Sequence, residues 1–243
     1  MSKIRKIYFI KLILRIIILI ASLILFFVAP EQFDIVNGWN FFKSFSIFHV
    51  LWVIWIFDMV TQLMPVKNIA LGSQKFFKEK FRPALNKLLD WDKLKDYIVK
   101  TNKAAGKVML VWALFIAVLC ALKVFGVLEN EHLFLVSIAF YVCDLICVLI
   151  WCPFRLMLGN KCCTTCRIFN WDHLMMFTPM LFVGSFFSIS LILFSVIDFV
   201  IWELYIYLHP ERFWENSNMA LKCSECTDKL CTQYCQKLRK KAD

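Results

Sequence analysis

The sequence predicts an all-α protein, a polytopic bundle of membrane-spanning helices, on three observations. Hydrophobic residues make up 60% of the 243 residues, well above the roughly 45–50% of soluble domains. They fall in long blocks, near the ~20 residues that a helix needs to cross a bilayer. The formal net charge of +10 is concentrated between these blocks, as the positive-inside rule requires. No nucleic-acid-binding motif accompanies that charge, so we expect no nucleic-acid partner.

The first two spans are predicted from the start of the chain. Residues 1–15 are rich in Lys and Arg and precede the apolar run 16–29, so we expect the N-terminus in the cytoplasm. The residues after this run are bulky, unlike a signal-peptide cleavage site, and predict a span that is not removed. A second span is predicted over about 45–64.

Residues 65–107 form the most charged part of the chain, with eleven Lys and Arg against four acidic residues. This excess predicts a cytoplasmic loop. Apolar residues recur in it near helical spacing and predict an amphipathic helix, interrupted at Pro83. That helix would lie on the inner leaflet or pack against the spans. Its apolar residues are Phe77, Phe81, Leu85, Leu88, Leu89, Tyr97 and Ile98.

Two further spans are predicted over about 108–127 and 133–151, joined by a short acidic connector. The last apolar block, 174–208, is too long for one upright helix and too short for two full ones. One tilted helix would leave the tail outside the cell. A short re-entrant piece, broken near Pro179 and Gly184 and followed by a full span, would return the tail to the cytoplasm. The basic end of the tail favours the cytoplasm.

Eight of the eleven cysteines lie in two short polar segments. Each segment contains a Cys-x-x-Cys pair, whose tight turn lets both sulfurs face one ion, and two such pairs are typical of a four-thiolate metal site. Zinc and an iron–sulfur cluster both accept this ligand set, and disulfides or redox-active dithiols are the alternatives. The candidate metal ligands are Cys152, Cys162, Cys163, Cys166, Cys223, Cys226, Cys231 and Cys235. Cys120, Cys143 and Cys147 lie within apolar spans and are predicted to be small buried hydrophobic residues.

Two motifs resemble known membrane proteins. The run CCTTCRIFNWD at 162–172, with the tail that starts HPERF at 209–213, resembles an uncharacterised family of cysteine-rich, multi-pass bacterial membrane proteins. That resemblance covers most of the chain and implies no activity. WCPF at 151–154 is similar to a region of membrane polyferredoxins of the NapH type, which implies iron–sulfur clusters and electron transfer. The tail is similar to a ferredoxin run, but four residues separate its middle cysteines and Gln236 stands where proline is usual.

Three aspartates within the apolar spans, Asp58, Asp144 and Asp198, are candidates for an ion or proton path, because ionisable residues in membranes are costly and often functional. The favoured interpretation is nevertheless structural. No basic residue or second acid lies within a turn of any of them, so we expect hydrogen bonds to nearby polar side chains or an interfacial position. His173 follows the first cysteine segment and is either a further ligand or part of a helix start.

The leading hypothesis is a cell-membrane protein that binds one or two metal centres, zinc or iron–sulfur, at its cytoplasmic face. Electron transfer with a soluble or membrane redox partner would follow. The alternatives are a zinc-stapled scaffold or accessory subunit, and a small-ion or metal transporter that uses the aspartates. No phosphate loop, nucleophile elbow or zinc-protease motif assigns catalytic residues. The predicted units are a membrane domain (1–151), a first cysteine motif (152–173), a long or broken segment (174–208) and a cysteine-rich tail (209–243).

Overall fold

The computed structural model describes residues 3–63, 81–84, 90–159, 165–222 and 225. These residues form helices and short 3-10 turns, and within these ranges extended pairing is limited to one isolated bridge between Pro83 and Asn218. The all-α prediction is therefore confirmed for the described part of the chain. The helices are α1 (Lys3–Val28), α2 (Phe48–Leu63), α3 (Trp91–Val124), α4 (Asn130–Leu149), α5 (Phe154–Leu158), α6 (Asp172–Phe177) and α7 (Phe186–Leu208).

Four helices of the described ranges are long and apolar enough to cross a membrane, which indicates a membrane protein. They are Ile4–Val28, Trp91–Val124, Asn130–Leu149 and Phe186–Leu208. Helix α2, which corresponds to the second predicted span, has 16 residues within the described part, fewer than the ~20 of a full span.

Helices α1 and α3 are longer than the sequence predicted. Helix α1 begins at Lys3 rather than at residue 16, because Lys and Arg are good helix formers and continue the apolar helix towards its start. Helix α3 has 34 residues, about 51 Å at 1.5 Å per residue, and joins the end of the basic loop to the third span. Residues 91–107 are therefore not a separate loop element.

The amphipathic helix expected over the basic loop is interrupted around Pro83, and its last two apolar residues, Tyr97 and Ile98, are helical within α3. Residues 81–84 are not helical and instead lie along the tail, where the amide of Met219 donates to Arg82 O at 2.8 Å and that of Ala84 to Ser217 O at 3.1 Å. Pro83 lacks an amide donor and restricts the residue before it, so it favours extended backbone. Phe77, Leu85, Leu88 and Leu89 lie outside the described residues.

Helix α3 begins at an ordinary N-cap. The side chain of Asp90 accepts a hydrogen bond from the amide of Lys93 at 3.1 Å, and the Lys93 ammonium lies 2.7 Å from the same carboxylate. That ammonium holds the pKa of Asp90 below its usual value. The cap fixes the start of the helix within the basic segment, away from its apolar half.

Side-chain contacts give the directions of the helices. Arg15 of α1 meets Asp144 of α4, and Phe26 packs on His132 with ring centroids 5.2 Å apart, so α1 and α4 are antiparallel. Helix α2 runs parallel to α4, since Phe48 packs on Phe134 near their starts and Asp58 meets Tyr141 further along. The core between them contains fully buried aromatic side chains, Trp55, Phe134, Phe177 and Phe187.

The last apolar block is broken. Helix α6 leads into a 3-10 turn, Thr178–Phe182, and α7 starts after Gly184 and Ser185. Gly184 has φ +66°, and Ser185 and Ser188 form a reciprocal capping box at the start of α7. This arrangement corresponds to the broken alternative, with the interruption at the Gly-Ser pair.

After the break, α7 runs back towards the end of the bundle at which α6 starts. The amide of Phe186 donates to Gly38 O at 3.1 Å, so α7 starts beside the connection between α1 and α2. Near the other end of α7, Trp202 Nε1 donates to Arg167 O at 3.0 Å. Just beyond that end, Phe213 O accepts from the Tyr97 hydroxyl at 3.2 Å. We call this end, formed by residues 151–159, 165–171 and 209–222, the cysteine end.

The left-handed turn at Gly184 gives a testable stability difference. Changing Gly184 to Ala is expected to destabilise the protein by about 1 kcal/mol, because an L side chain is strained in this conformation although open space surrounds the new Cβ. Gly106→Ala, in the helical interior of α3 and also in open space, is the matched control. It should stabilise by about 0.5–1 kcal/mol. Thermal unfolding in one detergent compares the two variants. Shifts of the same sign would show that the left-handed conformation of Gly184 does not determine the effect.

Candidate functional site

The structure describes two of the eight predicted metal ligands. Cys152 is half-buried just after α4, and Cys166 is buried before the turn that precedes α6. The other six lie outside the described residues: Cys162, Cys163, Cys223, Cys226, Cys231 and Cys235. Across the ranges that are described, no three His, Cys, Asp or Glu side chains lie close enough to hold a metal ion. Cys152, Cys166 and His173 therefore do not by themselves form a centre.

Cys152 and Cys166 line the same cavity at the cysteine end. It has a volume of about 390 Å³, and its apolar wall includes Trp112, Phe140 and Phe154. Four thiols border it, since Cys143 and Cys147 of α4 lie there as well.

The expectation for the cysteines of the spans needs correction. Cys143 lies on the surface of the helical bundle, and Cys120 and Cys147 are half-buried rather than fully buried. Cys147 also hydrogen-bonds with Cys152. Cys143 and Cys147 are four residues apart and so share one face of α4, which is the signal in the sequence that could have placed them with Cys152.

A partly buried ion pair fixes the segment that carries Cys166. The guanidinium of Arg167 donates to both carboxylate oxygens of Glu203 on α7, at 2.7 and 2.6 Å, and its Nε donates to Asn102 on α3 at 3.1 Å. Trp171 Nε1 donates to the same carboxylate at 2.8 Å. This two-pronged geometry is the strong form of an Arg–carboxylate contact, and it joins residues 165–171 to two of the long helices.

The cysteine end also receives the start of the tail. Leu221 belongs to the same packed apolar cluster as Cys166, together with Trp202 and Phe213. The described chain therefore lies at the cysteine end as far as Lys222, the residue before Cys223.

A second group of polar side chains lies inside the bundle, around Arg15. Its Nη1 donates to Asp144 Oδ2 at 2.7 Å and to Tyr141 O at 2.6 Å, and its Nη2 lies 3.7 Å from Asp58 Oδ2. The guanidinium stands over the Tyr141 ring, 3.7 Å from its centroid, and the Tyr141 hydroxyl donates to Asp58 Oδ2 at 3.2 Å. Arg15 is therefore surrounded by acceptors from two other helices.

This arrangement differs from the prediction that the aspartates of the spans bond nearby polar side chains or lie at an interface. That prediction considered neighbours on the same helix, whereas Arg15 approaches from α1, 129 residues before Asp144. The structure brings Asp58 and Asp144 together on one cation. Asp198 does not join them directly: it lies on α7 and interacts electrostatically with His173 and Asp172.

Residues at the start of α6 continue this polar region towards the cysteine end. Gln62 of α2 donates to Asn170 Oδ1 at 3.1 Å and to both oxygens of Asp172 at 3.3 Å. His173 is buried, and its Nδ1 lies 3.4 Å from Asp172 Oδ1. Asp144 and Asp172 both border the cavity that Cys152 and Cys166 line, so the two groups of side chains meet there.

Comparisons with protein-family models, curated proteins and solved structures find no match for the chain. The resemblance of residues 162–172 to a bacterial membrane family therefore stays a prediction. The residues of the two sites carry the functional argument.

Proposed function

We propose that this chain is an integral membrane protein that holds one or two metal centres through its two cysteine segments and transfers electrons at one face of the membrane. The observation that carries the proposal is the placement of Cys152 and Cys166 on one cavity, at the end of the bundle to which the chain returns before Cys223. Two segments on opposite faces of a membrane could not share a centre.

The chemistry of the surroundings supports thiolate ligands. Arg155 borders the cavity, and Lys222 precedes Cys223. Nearby cations favour the thiolate, which is the form that binds metal. A centre in this position would take its ligands from the eight predicted cysteines, of which four suffice for either zinc or an iron–sulfur cluster.

The cavity supports electron transfer over a purely structural role. Its wall is aromatic and apolar, with Trp112, Phe140 and Phe154, and such cavities suit flat, lipid-soluble molecules. An acceptor of that class bound there would lie beside Cys152 and Cys166. An iron–sulfur centre would supply the one-electron chemistry, since zinc has no redox activity.

Elemental analysis and a visible spectrum of anaerobically purified protein test the proposal. We expect iron with matching sulfide and a brown colour. Removing an outer-sphere partner lowers metal affinity by roughly 10–100-fold. Cys163→Ser and Cys226→Ser each remove a proposed ligand, so each should lower the affinity by more than this, and the metal content of the purified protein should fall. Cys120→Ser, on α3 and outside both segments, is the control and should retain the metal.

The alternatives predict different results in the same experiment. Zinc without colour would replace electron transfer by the scaffold role, in which the cysteines serve as a structural staple. Full metal content in both Cys→Ser variants, or no metal in the unmodified protein, would reject the metal–thiolate proposal.

A further inference from the structure

The aspartates inside the bundle outnumber the cations there. Within the described residues, Asp58, Asp144 and Asp172 lie around Arg15 and His173, and Asp198 acts on His173 from α7. If all four acids were ionised, the group would keep a net negative charge even with His173 protonated. Each unpaired charge removed from water costs several kcal/mol, so we expect this group to bind positive charge.

Asp198 is the acid with the fewest interactions. It is 3% exposed, and its Oδ2 has no hydrogen-bond partner in the described part of the chain. Asp58 and Asp144, by contrast, are both near Arg15. A carboxylate buried without a donor either takes up a proton or pairs with a cation.

His173 is placed to connect Asp198 with the cavity. It is 7% exposed, and its Nδ1 lies 3.4 Å from Asp172 Oδ1 without forming a hydrogen bond in the described structure. Helices α6 and α7 pack against each other, and Asp198 and Asp58 both act electrostatically on the imidazole. Asp172, which precedes His173 in α6, borders the cavity together with Asp144 and Arg155.

A proton fits this position better than a metal ion. In the described ranges no three His, Cys, Asp or Glu side chains converge closely enough to coordinate a metal. A proton needs one oxygen, and Asp198 Oδ2 provides it. An imidazole is suited to pass protons because one ring nitrogen can accept while the other donates.

We propose that Asp198 is a proton-binding site inside the bundle and that His173 and Asp172 link it to the cavity at the cysteine end. The described structure holds no hydrogen bond between Asp198 and His173, so the transfer needs a side-chain rotation that brings them within hydrogen-bond distance. The O–H bond of Asp198 then breaks and an N–H bond forms on one nitrogen of His173. The N–H bond on the other nitrogen breaks as its proton moves to Asp172, from which water in the cavity takes it. One proton moves, and no oxidant or reductant takes part.

Infrared spectroscopy of the full-length protein in lipid bilayers tests the site. At neutral pH and without sodium we expect a carbonyl band from a protonated carboxylic acid, which Asp198→Asn removes. Asp34→Asn, at an exposed carboxylate between α1 and α2, is the control and should leave the band unchanged. The fold should tolerate Asp198→Asn, because the amide has the size of the carboxyl group and carries no charge.

The relay is tested by the rate at which this band shifts in deuterated water. His173→Gln should keep the band and slow the shift by about 100-fold, the order of a typical general acid–base contribution. Identical spectra for the unmodified protein and Asp198→Asn would overturn the proton site. A band that appears only after sodium is removed would assign the site to a cation instead, and an unchanged rate in His173→Gln would overturn the relay. Because Cys163→Ser should leave the band intact, failure here is distinct from failure of the metal proposal.

Discussion

Replacing Arg15 by Met is expected to destabilise the folded protein by about 3–5 kcal/mol, the usual cost of removing one partner of a buried ion pair. The guanidinium side chain is 11% exposed and contacts both Asp144 and Asp58. Without it, the carboxylate of Asp144 and the carbonyl oxygen of Tyr141 lose their donor, and Asp58 loses its nearby cation. Thermal unfolding in one detergent, followed by tryptophan fluorescence, measures the change.

Lys6→Met provides the matched control for Arg15. It removes the same charge from the same helix at an exposed position, where substitutions usually change stability by less than about 0.5 kcal/mol. The double variant Arg15→Met/Asp144→Asn should recover part of the loss, because the amide leaves no unpaired charge. Equal effects of the Arg15 and Lys6 changes, or full additivity in the double variant, would show that the ion pair contributes little.

Breaking the contact between Arg167 and Glu203 is expected to have the second largest effect. Glu203→Gln should destabilise by about 1.5–3 kcal/mol. It removes the negative charge whose oxygens accept two hydrogen bonds from Arg167 and one from Trp171. The exposed Glu215→Gln is the control and should have little effect. Arg167→Lys keeps the positive charge but loses the planar guanidinium that donates two parallel hydrogen bonds. Its unfolding temperature should therefore lie between those of Glu203→Gln and Glu215→Gln.

These measurements also separate charge from geometry at the cysteine end. If Arg167→Lys equals the unmodified protein in stability, charge alone holds residues 165–171 in place. If it equals Glu203→Gln, the planar fork is needed. If Glu203→Gln is as stable as Glu215→Gln, the ion pair does not stabilise residues 165–171.

The long apolar helices could be predicted because their signal is local. A run of about 20 apolar residues is visible in the sequence, and the break at Gly184 and Ser185 also has local signals. These are a glycine that accepts positive φ and a serine that caps the next helix. The apolar run 16–29 predicts the span but not the start of α1 at Lys3, because the basic residues that flank a span are also good helix formers.

The polar interior could not be predicted in the same way. Arg15 and Asp144 are 129 residues apart, and Gln62 and Asp172 are 110 apart, so neither pair has a periodic signal. Their pairing depends on which helices become neighbours, and that is settled by packing across the whole bundle. The eight cysteines were found from spacing alone, and six of them lie outside the described residues.

The distance in sequence between Arg15 and Asp144 has a consequence for biosynthesis. Chains are made at about 5–20 residues per second, so the 129 residues that separate the pair take on the order of ten seconds to synthesise. Helix α1 enters the membrane with a guanidinium whose main partner does not yet exist. Asp58 arrives earlier, with α2, and we expect it to serve as the interim partner. Asp58→Asn should therefore reduce membrane insertion of the nascent protein more than it reduces the stability of the finished one.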